Sequence, residues 1–374
     1  MKIFVFGSSL TSTYWNGAAT YYRGIYKHLH RRGHSIVFAE PDIYGRQNNR
    51  DISELNYADV RVYRTPDDIP ALLNEAAHCE LVIKHSGVGA ADELLEQAVL
   101  ACRSNRTRVI FWDVDAPATL ARLENVPEDP FRKLIPEYDL IFTYGGGQPI
   151  VDQYSRLGAK ACFPIYNALD PDTHHPVQVD PDLHCDLAFV GHRLPDREQR
   201  VEKFFIQAAL LAPEMSFILG GEGWGGKTLP SNVRWIGHVA SGNHNRVNCS
   251  ARMVLNINRD SMAQVGFSPP TRVFEAAAAG ACVITDVWDG IEEFFVPGVE
   301  ILTAVSAHDV VRYLRQIGAA DASRISSAMH RRAMREHTYE LRAAQVDAIL
   351  QAAFTAAGSE SEVPSHPDAL YSQA

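Results

Sequence analysis

A chain of 374 residues has room for two domains, and 46% hydrophobic with 21% charged residues is the composition of an ordinary globular protein. The formal net charge of −10 excludes general affinity for nucleic acid or anionic membranes. The six cysteines are scattered without CxxC or Cys/His ligand spacing, which indicates neither a zinc site nor a disulfide framework.

The apolar run 2–6 (KIFVF) stops at Gly7 and reads as a buried parallel strand. It is too short for the core of a signal peptide, and no stretch approaches the ~18 apolar residues of a membrane span, so a cytoplasmic location is expected. A loop holding Asn16 and Gly17 leads into a helical pattern through Tyr21, Ile25 and Leu29, ended by Gly33, and SIVFAE follows as a second strand. The alternation continues with strands at 81–84, 108–112 and 139–144 and helices at 90–102 and 149–156. The stretch after 112 reads as a Pro-containing loop. Residues 167–185, rich in Pro, Asp and His, read as a linker, in which His174 and His175 are expected to be solvated. The pattern restarts at DLAFVG (186–191). It runs through a helix near 197–211, strands at 215–221, 232–237 and 253–258, a helix over 270–279 and a strand at 281–285. Helices near 307–317, 322–336 and 338–354 close it. Two such arrays predict an α/β chain of two Rossmann-like, doubly wound domains facing across a cleft, with ligands beyond the carboxyl ends of the strands. The expected boundaries are 1–170 joined by the helix 338–355, then 183–336, then a disordered tail over 356–374.

The segment Gly266–Asp286 is the most informative. Ser268 is expected to cap a helix that Pro269 opens, and Gly280 to stop it. Arg272 and Glu275 share one face, close to a helix N-terminus that attracts phosphate. Such a pair suits a ligand carrying both phosphate and sugar hydroxyls.

Three motifs carry less than their patterns suggest. Residues 221–228 (GEGWGGKT) match GxxxxGK[ST], yet Pro230, Ser231 and Asn232 follow where a P-loop needs a helix. Gly87-Val88-Gly89 begins a dinucleotide fingerprint, but Asp92 stands where a pyrophosphate would be repelled. Asp113-Val114-Asp115 ends a strand as a DxD pair. Twin doubly wound halves do not usually need a metal, which leaves Asp113 or Asp115 as a candidate base on the acceptor side or as a loop-capping residue.

The chain resembles the CgeB-like glycosyltransferases of the GT-B fold, whose C-terminal domain is of the group 1 type. The resemblance rests on RVFEAAAAGACVITD (272–286), 290–295 with Pro297, Gly298 and Glu300, and His337, Thr338, Tyr339 and Arg342. It extends to FVGHRLPDRE (189–198), LNINRDSM (255–262) and, in the first half, YWNGAATYYRG, WDVDAPAT, TYGGG and YNALDP. It covers most of the chain to about residue 355 and implies transfer of a sugar from a nucleotide-diphosphate donor to a hydroxyl acceptor, with no metal or other cofactor. By position it places Glu275 on the ribose and Gly191, His192, Arg193 and Arg272 near the diphosphate. Arg197, Arg259, His238 and Ser268 belong to the same candidate donor set, and Trp235 stands where a base could stack. The loop Gly7–Gly17, with Asn16, is expected to approach the donor phosphates on closure. Related retaining enzymes carry a second glutamate eight residues before the one at 275, where this chain has Phe267. Rival readings are a nucleotide-sugar epimerase and a non-catalytic binding protein on the same fold.

Overall fold

The computed structural model describes residues 1–356, and the expected tail beyond Ala356 lies outside the described residues. The chain divides into two compact units. One comprises residues 1–166 and the chain from Tyr339 on, the other Asn167–Thr338.

The first unit is built on seven strands: β1 (Lys2–Phe6), β2 (Ser35–Pro41), β3 (Asp59–Tyr63), β4 (Leu81–His85), β5 (Arg108–Asp113), β6 (Leu140–Thr143) and β7 (Cys162–Pro164). They form one sheet in the order β3-β2-β1-β4-β5-β6-β7, and every pairing is parallel. The helices α1 (Ala19–Arg31), α2 (Ile69–Ala76), α3 (Asp92–Ala98), α4 (Ala116–Asn125), α5 (Phe131–Leu134) and α6 (Gly147–Arg156) connect them. Burial of both faces explains strands such as LVIKH, in which even Lys84 and His85 are enclosed. The stretch after β5, expected as a loop, is helix α4, because Pro117 falls in its first turn, where a missing N–H costs nothing.

The second unit repeats the plan with six parallel strands in the order β10-β9-β8-β11-β12-β13. These are β8 (Cys185–Val190), β9 (Phe217–Gly220), β10 (Val233–Trp235), β11 (Ala251–Asn256), β12 (Val283–Asp286) and β13 (Leu302–Ala304). Helix α7 (Pro195–Val201) continues through a π-turn into α8 (Gln207–Leu211). The remaining helices are α9 (His244–Ser250), α10 (Asp260–Val265), α11 (Thr271–Ala278), α12 (Ala307–Gln316) and α13 (Ala319–Glu336). Phe189, Phe205, Phe217, Trp224 and Ile284 pack together in its core. Strand order reverses between β8 and β11, the place where doubly wound sheets open a ligand crevice.

Helix α14 (Tyr339–Ala356) returns to the first unit and lies along α1. Tyr339 is fully enclosed, and its ring sits where Gly24 has no side chain. A Cβ on Gly24 would stand 2.1 Å from Tyr339 Cδ2. Asp347 accepts from Arg32 Nε at 2.9 Å and lies 3.2 Å from His34 Nε2, which pins the far end. Among the described residues no helix is long and apolar enough to cross a membrane.

The Gly24–Tyr339 contact gives a stability prediction. Gly24→Ala gains up to ~1 kcal/mol of helix propensity but should lose ~1–3 kcal/mol to overpacking. Tyr339→Ala alone should lose ~3–5 kcal/mol. The double variant should cost less than the sum of the two, measured by chemical denaturation; additive losses would contradict the contact.

Candidate functional site

At the carboxyl end of β8 the chain turns through Gly191 into α7, interlocked with the loop after β9. Gly191 N donates to Gly220 O at 2.9 Å, Arg193 N to Glu222 O at 2.9 Å, and buried Trp224 Nε1 to Gly191 O at 2.8 Å. Gly221, at φ +120°, approaches so closely that a Cβ would stand 2.2 Å from Gly191 O. A Cβ on Gly191 would meet Arg197 Nη1 at 2.8 Å, so glycine there lets the guanidinium lie on the turn. The loop 221–228 opens into no helix. The next strand is β10, Trp235 packs over Gly225, and Lys227 pairs with Glu198 at 3.1 Å and with Glu202. The P-loop pattern is therefore a folded surface loop.

Opposite this turn, α11 begins later than the sequence suggested. Its N-cap is Pro270, not Ser268, whose buried hydroxyl finds no partner among the described residues. Pro270 has no N–H and Val273 N is satisfied by Pro270 O, which leaves the amides of Thr271 and Arg272 as the open donors of the first turn. Asn167 holds this start in place, donating to Pro269 O at 3.1 Å and accepting from Thr271 Oγ1 at 3.0 Å.

Arg272 and Glu275 then project from α11 toward a cavity of about 20 Å³, lined also by Val190, His244, Asn248 and Ala276. Arg272 is half-buried and makes no ion pair or hydrogen bond with any described residue; burial holds its guanidinium below the ordinary arginine value, offset by Glu275. Glu275 is enclosed. Its Oε2 lies 3.2 Å from His244 Nδ1 and its Oε1 3.6 Å from His174 Nε2. Burial alone would raise its carboxyl, but His174, His244 and Arg272 outweigh it and hold the group well below the usual carboxylate range. His174, expected in solvent, is 2% exposed; burial holds its imidazole below the ordinary histidine value, offset in part by Glu275.

His192 accepts from Glu222 N at 3.0 Å through Nδ1, and its ring stacks on that of exposed His238 at 6.0 Å. Burial first, then Arg272, His238 and Arg197, lower it to about 4. The ring is then neutral at pH 7, and Nε2 carries the proton. Arg193 and Arg259 are engaged elsewhere, Arg193 with Glu198 at 2.8 Å and Arg259 with Asp196 at 2.7 Å. Phe267 sits at φ +46° with its ring over Gly290, a strained turn that costs ~1–3 kcal/mol.

In the first unit Asp113 and Asn16 are engaged within the fold. Asp113 is wholly enclosed and accepts from Ser86 Oγ, Tyr154 Oη, Thr119 Oγ1 and Asp115 N, which leaves no lone pair aimed at solvent. Asp115 is half-buried and stands at the N-cap of α4. Asn16 is consumed inside its own loop, bonded to Ser8 Oγ, Ser9 O and Ser12 O, rather than presented by it. Gly7 has no Cβ because the Phe38 ring fills that space at 2.3 Å, whereas Gly17 faces open space. Asp92 fills the Gly87–Gly89 turn itself, accepting from Val88 N at 3.2 Å, Gly89 N at 2.9 Å and Lys84 Nζ.

Residues 197–348 match the model of a glycosyl transferase-like family. No curated protein matches the chain. Among solved structures, the chain is similar to HepE of Anabaena, in complex with UDP and glucose (13% identity, 94% of this chain and 99% of that one, TM-score 0.67). It is similar to sucrose-phosphate synthase of Thermosynechococcus elongatus (12%, 95% and 100%, 0.68) and to AviGT4, a glycosyltransferase involved in avilamycin A biosynthesis (16%, 95% and 98%, 0.62). The fold is the two-domain GT-B fold. The matched domain places the protein, as an enzyme, in the glycosyltransferase class.

The depressed His192 value has a measurable consequence. Between pH about 6.5 and about 4 the unfolded ring takes up a proton that the folded ring refuses. Stability contributed by neutral His192 is therefore complete above pH ~6.5 and lost as pH falls toward 4. An NMR titration of the imidazole should place its midpoint near 4, and a midpoint near 6.5 would remove this packing.

Proposed function

We propose that the protein transfers a glycosyl group from a nucleoside-diphosphate sugar to a hydroxyl acceptor, with the nucleotide held by the second unit. One observation carries the reading. Arg272, beside the open amides of the first turn of α11, is the guanidinium at the β8/β11 reversal that no described carboxylate pairs with, and Glu275 lies behind it on the same helix. As the glycosidic bond breaks, negative charge grows on the diphosphate. A guanidinium, two amides, Arg197 on the Gly191 turn and the Nε2 proton of His192 are fixed positive groups suited to that growth, and they favour the transition state over the ground state. They also supply the charge compensation that a metal would otherwise provide. The ionised Glu275 suits the ribose hydroxyls, as acceptor for two O–H donors. UDP and glucose bound to HepE, at a similar fold, support a donor of this kind. Within the class, the segments 272–286 and 337–342 favour a CgeB-like enzyme.

Thermal shift against UDP, GDP, TDP and ADP should select at least one diphosphate, with ~2.7 kcal/mol of stabilisation at 100 times its dissociation constant. Arg272→Ala should weaken that ligand by roughly tenfold to a hundredfold, the worth of a charged hydrogen-bonding group. Glu275→Ala should weaken the diphosphate nucleoside but not inorganic pyrophosphate. Affinity unchanged in Arg272→Ala would overturn the assignment. Release of nucleotide from the matching sugar donor only on addition of acceptor would separate transfer from mere binding.

A further inference from the structure

Glu275 has neighbours that the donor reading does not use. His174 lies on a tight turn after Asp170, where His174 N donates to Asp170 O at 2.8 Å, and His244 is the first residue of α9. Asn245 Nδ2 donates to Thr173 O at 2.9 Å and ties the turn to the helix, so the two imidazoles are held on either side of the carboxylate. One ligand atom from each of His174, His244 and Glu275 lies within 4.8 Å of the other two.

We propose that His174 Nε2, His244 Nδ1 and the Glu275 carboxylate form a site for a divalent transition-metal ion of the Zn²⁺ class, and that metal and nucleotide exclude each other by sharing Glu275. Glu275 Oε2 lies 3.2 Å from His244 Nδ1 and Glu275 Oε1 lies 3.6 Å from His174 Nε2, so each imidazole faces its own carboxylate oxygen at a separation close to the ~3.3 Å edge of a tetrahedron with ~2.0–2.1 Å bonds. His174 is 2% exposed and neither ring nitrogen has a hydrogen-bond partner among the described residues, an arrangement that costs free energy unless something fills it. His244 Nε2 lies 3.2 Å from Val239 O. Nδ1 hydrogen-bonds the Glu275 carboxylate in the metal-free protein; with the N–H moved to Nε2 and donated to Val239 O, Nδ1 would give its lone pair to the ion, the outer hydrogen bond being the one a metal-binding histidine requires. The adjoining cavity of about 20 Å³, lined by His244 and Glu275, has room for one water as fourth ligand. Two imidazoles and one carboxylate suit Zn²⁺, Co²⁺ or Ni²⁺ rather than Mg²⁺ or Ca²⁺. Arg272 lines the same cavity, and its positive charge opposes the dication. The exclusion half rests on the donor reading above; the metal half does not.

The test uses the full chain, freed of metal by chelation and titrated with Co²⁺ and then Zn²⁺. One equivalent should bind, with the visible bands of four-coordinate Co²⁺ that Zn²⁺ then bleaches. His174→Ala and His244→Ala should each weaken Zn²⁺ at least tenfold, whereas His78→Ala, on the exposed surface of the first unit, should not. Circular dichroism establishes that each variant is folded, and His174→Gln, which keeps a polar group there, serves if the alanine variant is not. No Co²⁺ spectrum, or affinity indifferent to both substitutions, overturns the site. Saturating Zn²⁺ should weaken the diphosphate nucleotide selected by thermal shift at least tenfold. Nucleotide binding indifferent to Zn²⁺ overturns the exclusion. Absence of nucleotide binding with or without metal counts against the donor reading, while the Co²⁺ titration still decides the site.

Discussion

A carboxylate taken out of water must be met by positive charge or by hydrogen bonds, and the second unit is arranged around one such group. Glu275 is enclosed on α11, with Arg272 one turn back, His244 at the head of α9 and His174 on the turn after Asp170. Removing the partners of a buried charge costs several kcal/mol, so these three elements are held to one another by more than apolar contact. The slim alanine run 276–279 lets α11 sit deep enough for this, with Phe274 and the alanines all buried. The site's position is thus a consequence of where a single charge can be tolerated.

Close backbone approach provides the other half of the site. Gly191 and Gly221 touch where no Cβ fits, and Arg197 lies over the first of them. A few ångströms of added side chain at either position would move the β8–α7 turn away from the β9 loop. Phe267 shows the same economy of space. Its positive φ is held by Phe267 N donating to Asp289 O at 2.6 Å, and its ring needs the missing side chain of Gly290. An aromatic ring in this strained turn puts an apolar group beside the start of α11.

Much of this was legible in the chain. Strands buried on both faces announce themselves as apolar runs, and helix α11 with Arg272 and Glu275 on one face followed from spacing alone. What was missed has identifiable causes. Strand β3 lies at the sheet edge, where charged residues interrupt its valines (DVRVY) and most of it is exposed or half-buried, while β7 and β13 are three residues each, too short for a period. Helix α9 (HNRVNCS) has few strong helix formers and owes its form to packing. Helix α4 hid behind a proline that a first turn accepts. His174 was misplaced because it stands among Pro, Asp and His, the composition of a solvated linker, and nothing in spacing brings residues 174, 244 and 275 together. Arg193 and Arg259 were legible as arginines near the right turns, but their partners Glu198 and Asp196 became visible only in three dimensions.

The two units share a plan, yet the carboxyl ends of their strands are furnished differently. In the first unit, carboxylates of the chain already occupy the carboxyl ends of three strands. Glu40 accepts from Leu10 N at 2.6 Å and Thr11 N at 3.3 Å beyond β1, Asp92 from the β4 turn, and Asp113 from the β5 loop. These backbone donors are satisfied internally, and a ligand there would have to displace a carboxylate of the chain itself. In the second unit, Asp286 plays that part at β12, where it pairs with Arg200 and accepts from Asn258 N at 3.2 Å. At the β8/β11 reversal, by contrast, the Arg272 guanidinium, the first-turn amides of α11 and the neutral His192 imidazole stand with the enclosed carboxylate of Glu275. The same fold therefore fills strand ends of one half with its own carboxylates and leaves Arg272 at the β8/β11 reversal of the other without an ion pair among the described residues, the asymmetry on which the proposed diphosphate site rests.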